Sequence, residues 1–287
     1  MSSMSTISVV VLTMGDRPDE LAASISSART QKGVSVEIVL VINGGTPNQA
    51  LADVIVEPKE NVGIPEGRNI GAAASKGEFI CFLDDDGVLL DENIFLEANN
   101  AFSFEEDLAV VSLKIVNEHN KTVQRHHSGL IKEPSQKAEI TAFAGGACLI
   151  RKTAFDSVEG FSGEFFYGLE ETDLAWRLID ENWKIRYLSN LLFFHPSTSP
   201  TRHKNFHLNT ARNRMWLVHR LLPFPLAIIY LTNWFLVSAI RNLLRPSNLY
   251  LTLAGYFLGW ESRPFVRSTL KKETLIKLTK LRRPPII

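Results

Sequence analysis

The sequence predicts an α/β fold, a mixed and mostly parallel sheet flanked by helices, with a helical, basic extension at its C-terminal end. Three observations carry this expectation. Apolar runs of strand length alternate with segments of helical spacing through the first part of the chain. One of those runs, Phe79-Ile80-Cys81-Phe82-Leu83, passes straight into Asp84-Asp85-Asp86-Gly87. The charge is also divided along the chain. Residues 1–200 hold 16 Lys+Arg against 29 Asp+Glu, and residues 201–287 hold 15 against 2, so a net charge of zero hides halves of −13 and +13.

The elements follow in order. Ser8–Thr13 is an apolar strand followed by the loop Met14-Gly15-Asp16-Arg17-Pro18, and Glu20–Thr30 has helical spacing through Leu21, Ile25 and Ala28. Val36–Ile42 is a second strand ended by Asn43-Gly44-Gly45, and Val54–Val56 a short third. Ile64–Ala74 is a small-residue helix and Glu78–Leu83 the next strand. Beyond the aspartates the spacing predicts a helix at Glu92–Phe102, strands near Leu108–Val116, Thr122–Ile131 and Ala142–Arg151, a helix at Glu170–Asp180, and strands at Lys184–Leu188 and Leu191–His195. Ligands are expected at the carboxyl edge of such a sheet.

Hydrophobic content of 45% and charged content of 22% fit a globular chain with a sizeable core. The two cysteines, Cys81 and Cys148, lie inside apolar runs and read as core residues of a reducing compartment. Met1–Thr6 is short and polar without a basic flank, so the expectation is a cytoplasmic protein. No nucleic-acid-binding pattern is present, and the basic end points instead to an acidic phosphate or an anionic membrane.

Three adjacent carboxylates repel one another, which gives them a cost unless they are used. Side chains alternate along an extended segment, so Asp84 and Asp86 point one way and Asp85 the other. Two carboxylates on one side form a hard-oxygen site for Mg²⁺ or Mn²⁺, with phosphates as co-ligands. His195, at the end of an apolar strand and before Pro196, either adds a third ligand or satisfies a turn.

An ordered set of short segments then resembles the family 2 glycosyltransferases of the GT-A fold over roughly residues 7–220. The segments are a strand ending in Thr13, Asn61-Val62-Gly63, Gly67-Arg68-Asn69-Ile70-Gly71, Phe82-Leu83-Asp84-Asp85-Asp86, Glu170-Glu171-Thr172-Asp173-Leu174 and Ala211-Arg212-Asn213. The resemblance implies transfer of a sugar from a nucleotide-diphosphate donor to an acceptor hydroxyl, with inversion and a divalent metal. It puts the metal on Asp86 and Asp84, and the nucleotide-sugar near Thr13, Asn43, Arg68, Asn69, Asp84 and Asp85. It puts the catalytic base on Glu171, where the family usually has aspartate, with Asp173 close by as a second candidate that is also spaced to pair with Arg177 at i+4 in a structural role. Ile42 stands where many members carry an acid that reads the base, and Asn43 is the substitute candidate. Gly146, Glu170 and Arg212 are candidates for the acceptor or diphosphate.

Residues 1–220 are thus expected to form the glycosyltransferase domain, with a nucleotide-sugar half at about 7–104 and an acceptor half at about 105–220. Residues 221–287 form the extension. There, Pro223–Ile240 is eighteen residues without a charge and Leu249–Trp260 is a second apolar run, with Arg214 and Arg220 before the first and Arg241 and Arg245 after it. Two helices lying in a membrane interface fit this pattern, with Lys271, Lys272, Lys277, Lys280, Arg282 and Arg283 facing anionic lipid. A glycan or lipid-linked acceptor follows from that reading, and packing on the catalytic domain or in a homodimer is the alternative.

Two rival classes stay open at this stage. Asp84-Asp85-Asp86-Gly87-Val88-Leu89 imitates the nucleophile motif of haloacid-dehalogenase phosphatases, although about eighty residues precede it here. A non-catalytic nucleotide-sugar or glycan-binding protein is the other.

Overall fold

The computed structural model describes residues 5–119, 137–197 and 205–286. Among the described residues the centre is one nine-stranded sheet. The strands are β1 (Thr6–Thr13), β2 (Ser35–Ile42), β3 (Val54–Val56), β4 (Phe79–Asp84), β5 (Val88–Leu89), β6 (Leu108–Val116), β7 (Lys137–Glu139), β8 (Ala147–Arg151) and β9 (Lys184–Phe194). They run in the order β3-β2-β1-β4-β8-β6-β9-β5, with β7 also paired to β9. β1 to β4 are mutually parallel, as is the β6–β9 pair, while β8 runs antiparallel to both β4 and β6.

The apolar runs are continuous because both faces of the sheet are covered. Val9 and Val11 turn to one core with Leu21 and Ile25 of α1 (Pro18–Arg29) and Phe95 and Phe102 of α3 (Ile94–Phe104). Val10, Ile80 and Phe82 turn to the other. There they meet Ala72 of α2 (Ile64–Ala74), Phe155 of α4 (Lys152–Ser157) and Leu174 and Trp176 of α5 (Glu170–Asp180).

Three expected strands differ. The run Ala142–Arg151 becomes strand only from Ala147, because its first residues turn over the carboxyl edge of β4 as a loop. The two strands predicted over Lys184–His195 are one, irregular where Leu113 pairs with Leu188 and Lys114 with Leu192. The strand predicted at Thr122–Ile131 lies outside the described residues.

The C-terminal region forms α6 (Phe206–Leu221), α7 (Phe224–Arg241), α8 (Pro246–Glu261) and α9 (Lys272–Lys280). α6 and α9 join the second core through Trp216, Leu217 and Leu278. α9 is also drawn onto the acidic half by Lys271 on Glu181 (3.2 Å) and Lys277 on Glu139 (2.8 Å). Those two lysines, expected to face lipid, are therefore spent within the protein. α7 is long and apolar enough to cross a membrane, with mean hydropathy 1.4 and only 6% of its length buried. Ile240, Leu243 and Leu244 at its end are 74%, 78% and 93% exposed.

α8 lies against α6 at backbone distance, where a Cβ on Gly255 would overlap the Leu208 carbonyl and crowd Ala211. Gly255→Leu should therefore cost about 1–3 kcal/mol of stability, read as a lower midpoint in thermal or urea unfolding.

Candidate active site

The site is assembled by strand register. Leu12 pairs with Asp84 across β1–β4 and Leu83 with Ala147 across β4–β8, so Thr13, Asp84 and Gly146 share one carboxyl edge. After Asp86 the chain enters β5, whose Val88 pairs with Phe194. That pairing brings His195, the next residue after β9, back to the aspartates. His195 Nε2 lies 3.3 Å from Asp86 Oδ1 and 3.7 Å from Asp84 Oδ2.

Asp84, Asp86 and His195 each offer a ligand atom, all within 4.8 Å of one another. His195 Nδ1 sits 2.8 Å from the Pro196 carbonyl, which can only accept, so Nδ1 donates there and Nε2 is the nitrogen turned to the aspartates. Two carboxylates and an imidazole of fixed tautomer suit a divalent cation, and the donor set fits.

Asp85 turns the other way. Its Oδ2 accepts from the Thr13 hydroxyl at 2.7 Å, and Arg17 reaches its Oδ1 at 2.7 Å while also bonding Asp86. Burial pushes the Asp85 carboxyl up to about 6, against the pull of Thr13 and Arg17 and with the push of Asp86 and Asp84. Thr13 is nine-tenths or more buried and its oxygen also accepts from Gly15 N at 3.0 Å. Arg17 was not singled out from the sequence. The signal was its place in the loop after β1, which becomes informative once β1 neighbours β4.

Arg68 rises from α2 into the same cluster. Its Nη2 donates to Asp84 Oδ1 at 3.0 Å, and Nη1 lies 3.9 Å from Glu171 Oε1 with no hydrogen-bond partner of its own. Burial opposes its charge, but Asp84, Glu171 and Glu170 outweigh that and raise its pKa. The loop 142–146 is seated close by. Gly145 N donates to Glu171 Oε1 at 3.3 Å, and a Cβ on Gly146 would collide with the Asp84 carboxylate. Glu171 is lifted above the usual carboxylate range by burial, with Arg68 opposing. Glu170 is pushed up to about 8 by burial and then by Glu171, and its Oε2 has no partner. Four carboxylates (Asp84, Asp85, Asp86, Glu171) thus face two guanidiniums (Arg17, Arg68), a deficit of positive charge that favours a cation.

Four candidates are placed otherwise. Asp173 is fully buried. Its oxygens are taken by Ser162 at 2.7 Å, Arg177 at 2.7 Å and Arg220 at 3.2 Å, so it ties α5 to α6 and is not free to act as a base. Asn43 uses its whole amide on the loop after β3, accepting from Val62 N at 2.9 Å and donating to Asn61 and to the Gly63 carbonyl. Asn69 likewise brackets Phe161, through its N–H at 2.9 Å and its carbonyl at 2.8 Å. An amide withdrawn from water demands partners on both ends, and here backbone groups supply most of them, with Asn61 and Glu66 accepting the rest. Arg212 stacks on Trp216 at 4.3 Å and donates to the Phe165 carbonyl at 3.1 Å, beside Asn213, which holds the carbonyls of Phe165, Tyr167 and Gly168. These two residues pin the loop that leads into Glu170 and Glu171.

Two stability predictions follow from these placements. Asp173→Asn should cost about 3–5 kcal/mol in denaturant unfolding, because Arg177 and Arg220 are left without their shared counter-ion. Glu170 binds its proton more tightly folded than unfolded, so its burial is free below about pH 4.5 and costs progressively more as pH rises towards about 8. Glu170→Gln in metal-free protein should therefore gain little at pH 5 and at least about 2 °C in midpoint at pH 8.

Comparison with known proteins agrees with this frame. The profile described as glycosyl transferase family 2 matches residues 8–159, and that described as the N-terminal domain of galactosyltransferase matches residues 125–203. Among solved structures the chain is similar to GalNAc-T7 with UDP, GalNAc and Mn²⁺, at 15% identity and TM-score 0.65 over 98% of this chain and 57% of that one. It is similar to S. aureus TarS 1–349 at 16% identity and TM-score 0.61, over 88% and 80% of the two chains. A structure titled S. aureus TarS is covered to 42% at TM-score 0.52. The chain thus spans about half the length of the first of these structures, and at such identities the likeness is one of fold. A search of curated proteins finds no match. The aspartates end the fourth strand of this sheet, which removes the phosphatase reading, and with the family profile covering more than half of its residues the chain belongs to glycosyl transferase family 2, on a GT-A fold.

Proposed function

We propose that the protein transfers a sugar, a hexose or deoxyhexose, from a nucleotide-diphosphate donor to an acceptor hydroxyl with inversion. The observation that carries this is the meeting of Asp84, Asp86 and His195 Nε2 with Arg68 and Glu171 at one sheet edge. Mg²⁺ or Mn²⁺ held by those three ligands would supply positive charge to the leaving diphosphate. Arg17 keeps Asp85 and Asp86 oriented. Arg68, with Nη1 unpartnered, is placed to donate to the donor's diphosphate or sugar.

Glu171 is the general base. Its raised pKa moves it towards neutrality, where a carboxylate accepts the acceptor proton more readily, and Gly145 N–H and Arg68 fix its direction. The new bond from the acceptor oxygen forms as the bond to the diphosphate oxygen breaks, and the proton passes to Glu171. Glu170, pushed up to about 8 by burial and then by Glu171, keeps a proton that would otherwise add a repelling charge.

In this reading residues 7–104 hold the nucleotide-sugar and residues 105–220 the acceptor, with residues 221–287 as the extension. The exposed apolar end of α7 beside Arg241 and Arg245 supports a cytoplasmic enzyme peripheral on the inner face of the membrane, acting on a glycan or lipid-linked acceptor in cell-surface glycan or glycolipid synthesis.

The test is a panel of UDP-, GDP- and dTDP-sugars, with and without Mn²⁺, followed by thermal shift and product formation. Asp86→Ala should abolish the Mn²⁺-dependent donor shift. Glu171→Gln should keep that shift and lose roughly 10²–10⁴ in turnover. Undiminished turnover in Glu171→Gln would overturn the base assignment, and no donor response at all would overturn the activity.

A further inference from the structure

α7 and α8 each pack on the protein with one face and turn the other to solvent. Ala227, Tyr230, Leu231 and Trp234 share one side of α7 and pack on the second core, where Tyr230 is buried. Polar contacts hold the same side. Arg214 stacks on Trp234, its guanidinium carbon 4.0 Å from the ring centre, and Asn233 donates to the Ile286 carbonyl at 2.9 Å. A helix tied to its domain along this whole face is not ringed by lipid, so an apolar stretch long enough to span is used here in another way.

What remains outward is apolar. On α7 the exposed row is Ile229, Leu236 and Ile240. On α8 it is Tyr250, Leu253, Phe257 and Trp260, opposite the buried Thr252, Gly255 and Gly259. The two helices adjoin, with the rings of Phe235 and Tyr256 6.4 Å apart and Asn248 Nδ2 donating to Asn242 Oδ1 at 3.0 Å across the turn that joins them. On that turn Leu243 and Leu244 stand exposed between Arg241 and Arg245, which are exposed as well. Of the twenty large hydrophobic side chains exposed among the described residues, thirteen lie within 224–260, a concentration that marks a contact surface and not scattered surface leucines.

The charge says what covers it. No Asp or Glu occurs between Glu181 and Glu261. A second copy laid here across a twofold axis would set this acid-free face on itself, arginine near arginine. Anionic headgroups supply the missing sign. Trp260, with Arg263 stacked over it at 4.2 Å, has the amphipathic form that suits the headgroup level.

We propose that the outward faces of α7 and α8, with the turn 242–245, are seated in the interface of an anionic bilayer. Leu243 and Leu244 enter the apolar layer, Arg241 and Arg245 meet headgroups, and α7 lies in the membrane plane without crossing it. This rests on the peripheral-membrane part of the function proposed above and is independent of sugar transfer.

The test is co-sedimentation of the full chain, without donor or metal, with phosphatidylcholine vesicles that do or do not contain phosphatidylglycerol. Binding is expected only with phosphatidylglycerol present, and added salt should release it. Leu243→Ser combined with Leu244→Ser should weaken it about tenfold or more, and so should Arg241→Gln combined with Arg245→Gln. Circular dichroism checks folding, and if the leucine pair fails there the arginine pair decides. Undiminished binding in the folded variants overturns this surface while leaving a peripheral enzyme, and binding to neither vesicle overturns both. Binding that survives salt and alkaline carbonate means a crossing α7 and overturns the in-plane placement. A dimer in sedimentation velocity that the leucine pair dissociates, without vesicle binding, gives the face to a second copy and overturns the proposal.

Discussion

The organisation of this molecule depends on a surplus of negative charge at the end of β4 that the protein only partly neutralises. Arg17 and Arg68 approach the aspartates from opposite sides, one from the loop after β1 and one from α2. Each arginine fixes carboxylate directions without filling the gap among Asp84, Asp86 and His195. A third arginine there would have closed the site as a structural ion network. A histidine of defined tautomer leaves it open to a metal ion.

Much of this was legible because the strands are buried on both faces and so read as unbroken apolar runs. β1, β2, β4 and β6 could be read almost to the residue, and the three aspartates marked the edge where the candidate site is assembled. Two short strands could not be read: β5 has only two residues, and β7, Lys137-Ala138-Glu139, is largely charged, whereas the equally short β3 is wholly apolar. Yet β5 is what returns His195 to Asp86. The loop before β8 looked like strand because Ala142-Phe143-Ala144 is apolar, and only the approach of Asp84 and Glu171 to Gly145 and Gly146 explains the turn.

Polar residues divided by a different rule. Asp84, Asp86, Arg68 and Glu171 keep unused donor or acceptor capacity, whereas Asn43, Asn69 and Asp173 are saturated by partners far away in sequence. Adjacency in a motif cannot separate these two fates, since both kinds of residue sit in the same short segments. Arg17 was hidden for the converse reason. Its importance comes from the strand order β2-β1-β4, which is a property of the sheet and not of its own neighbours.

The loop before α5 carries Phe166 at φ 59° and Leu169 at φ 72°, conformations that side chains with a Cβ rarely adopt. Together they store on the order of 2–6 kcal/mol. That tension is held from outside, by Asn213 on three carbonyls of the loop and by Ile64 N on the Phe166 carbonyl. The aim of Glu171 is therefore inherited from α6 and α2, like a drawn bow whose string is tied elsewhere. Damage in α6 would surface as a misdirected acid in an otherwise intact enzyme, with every carboxylate still present in the sequence.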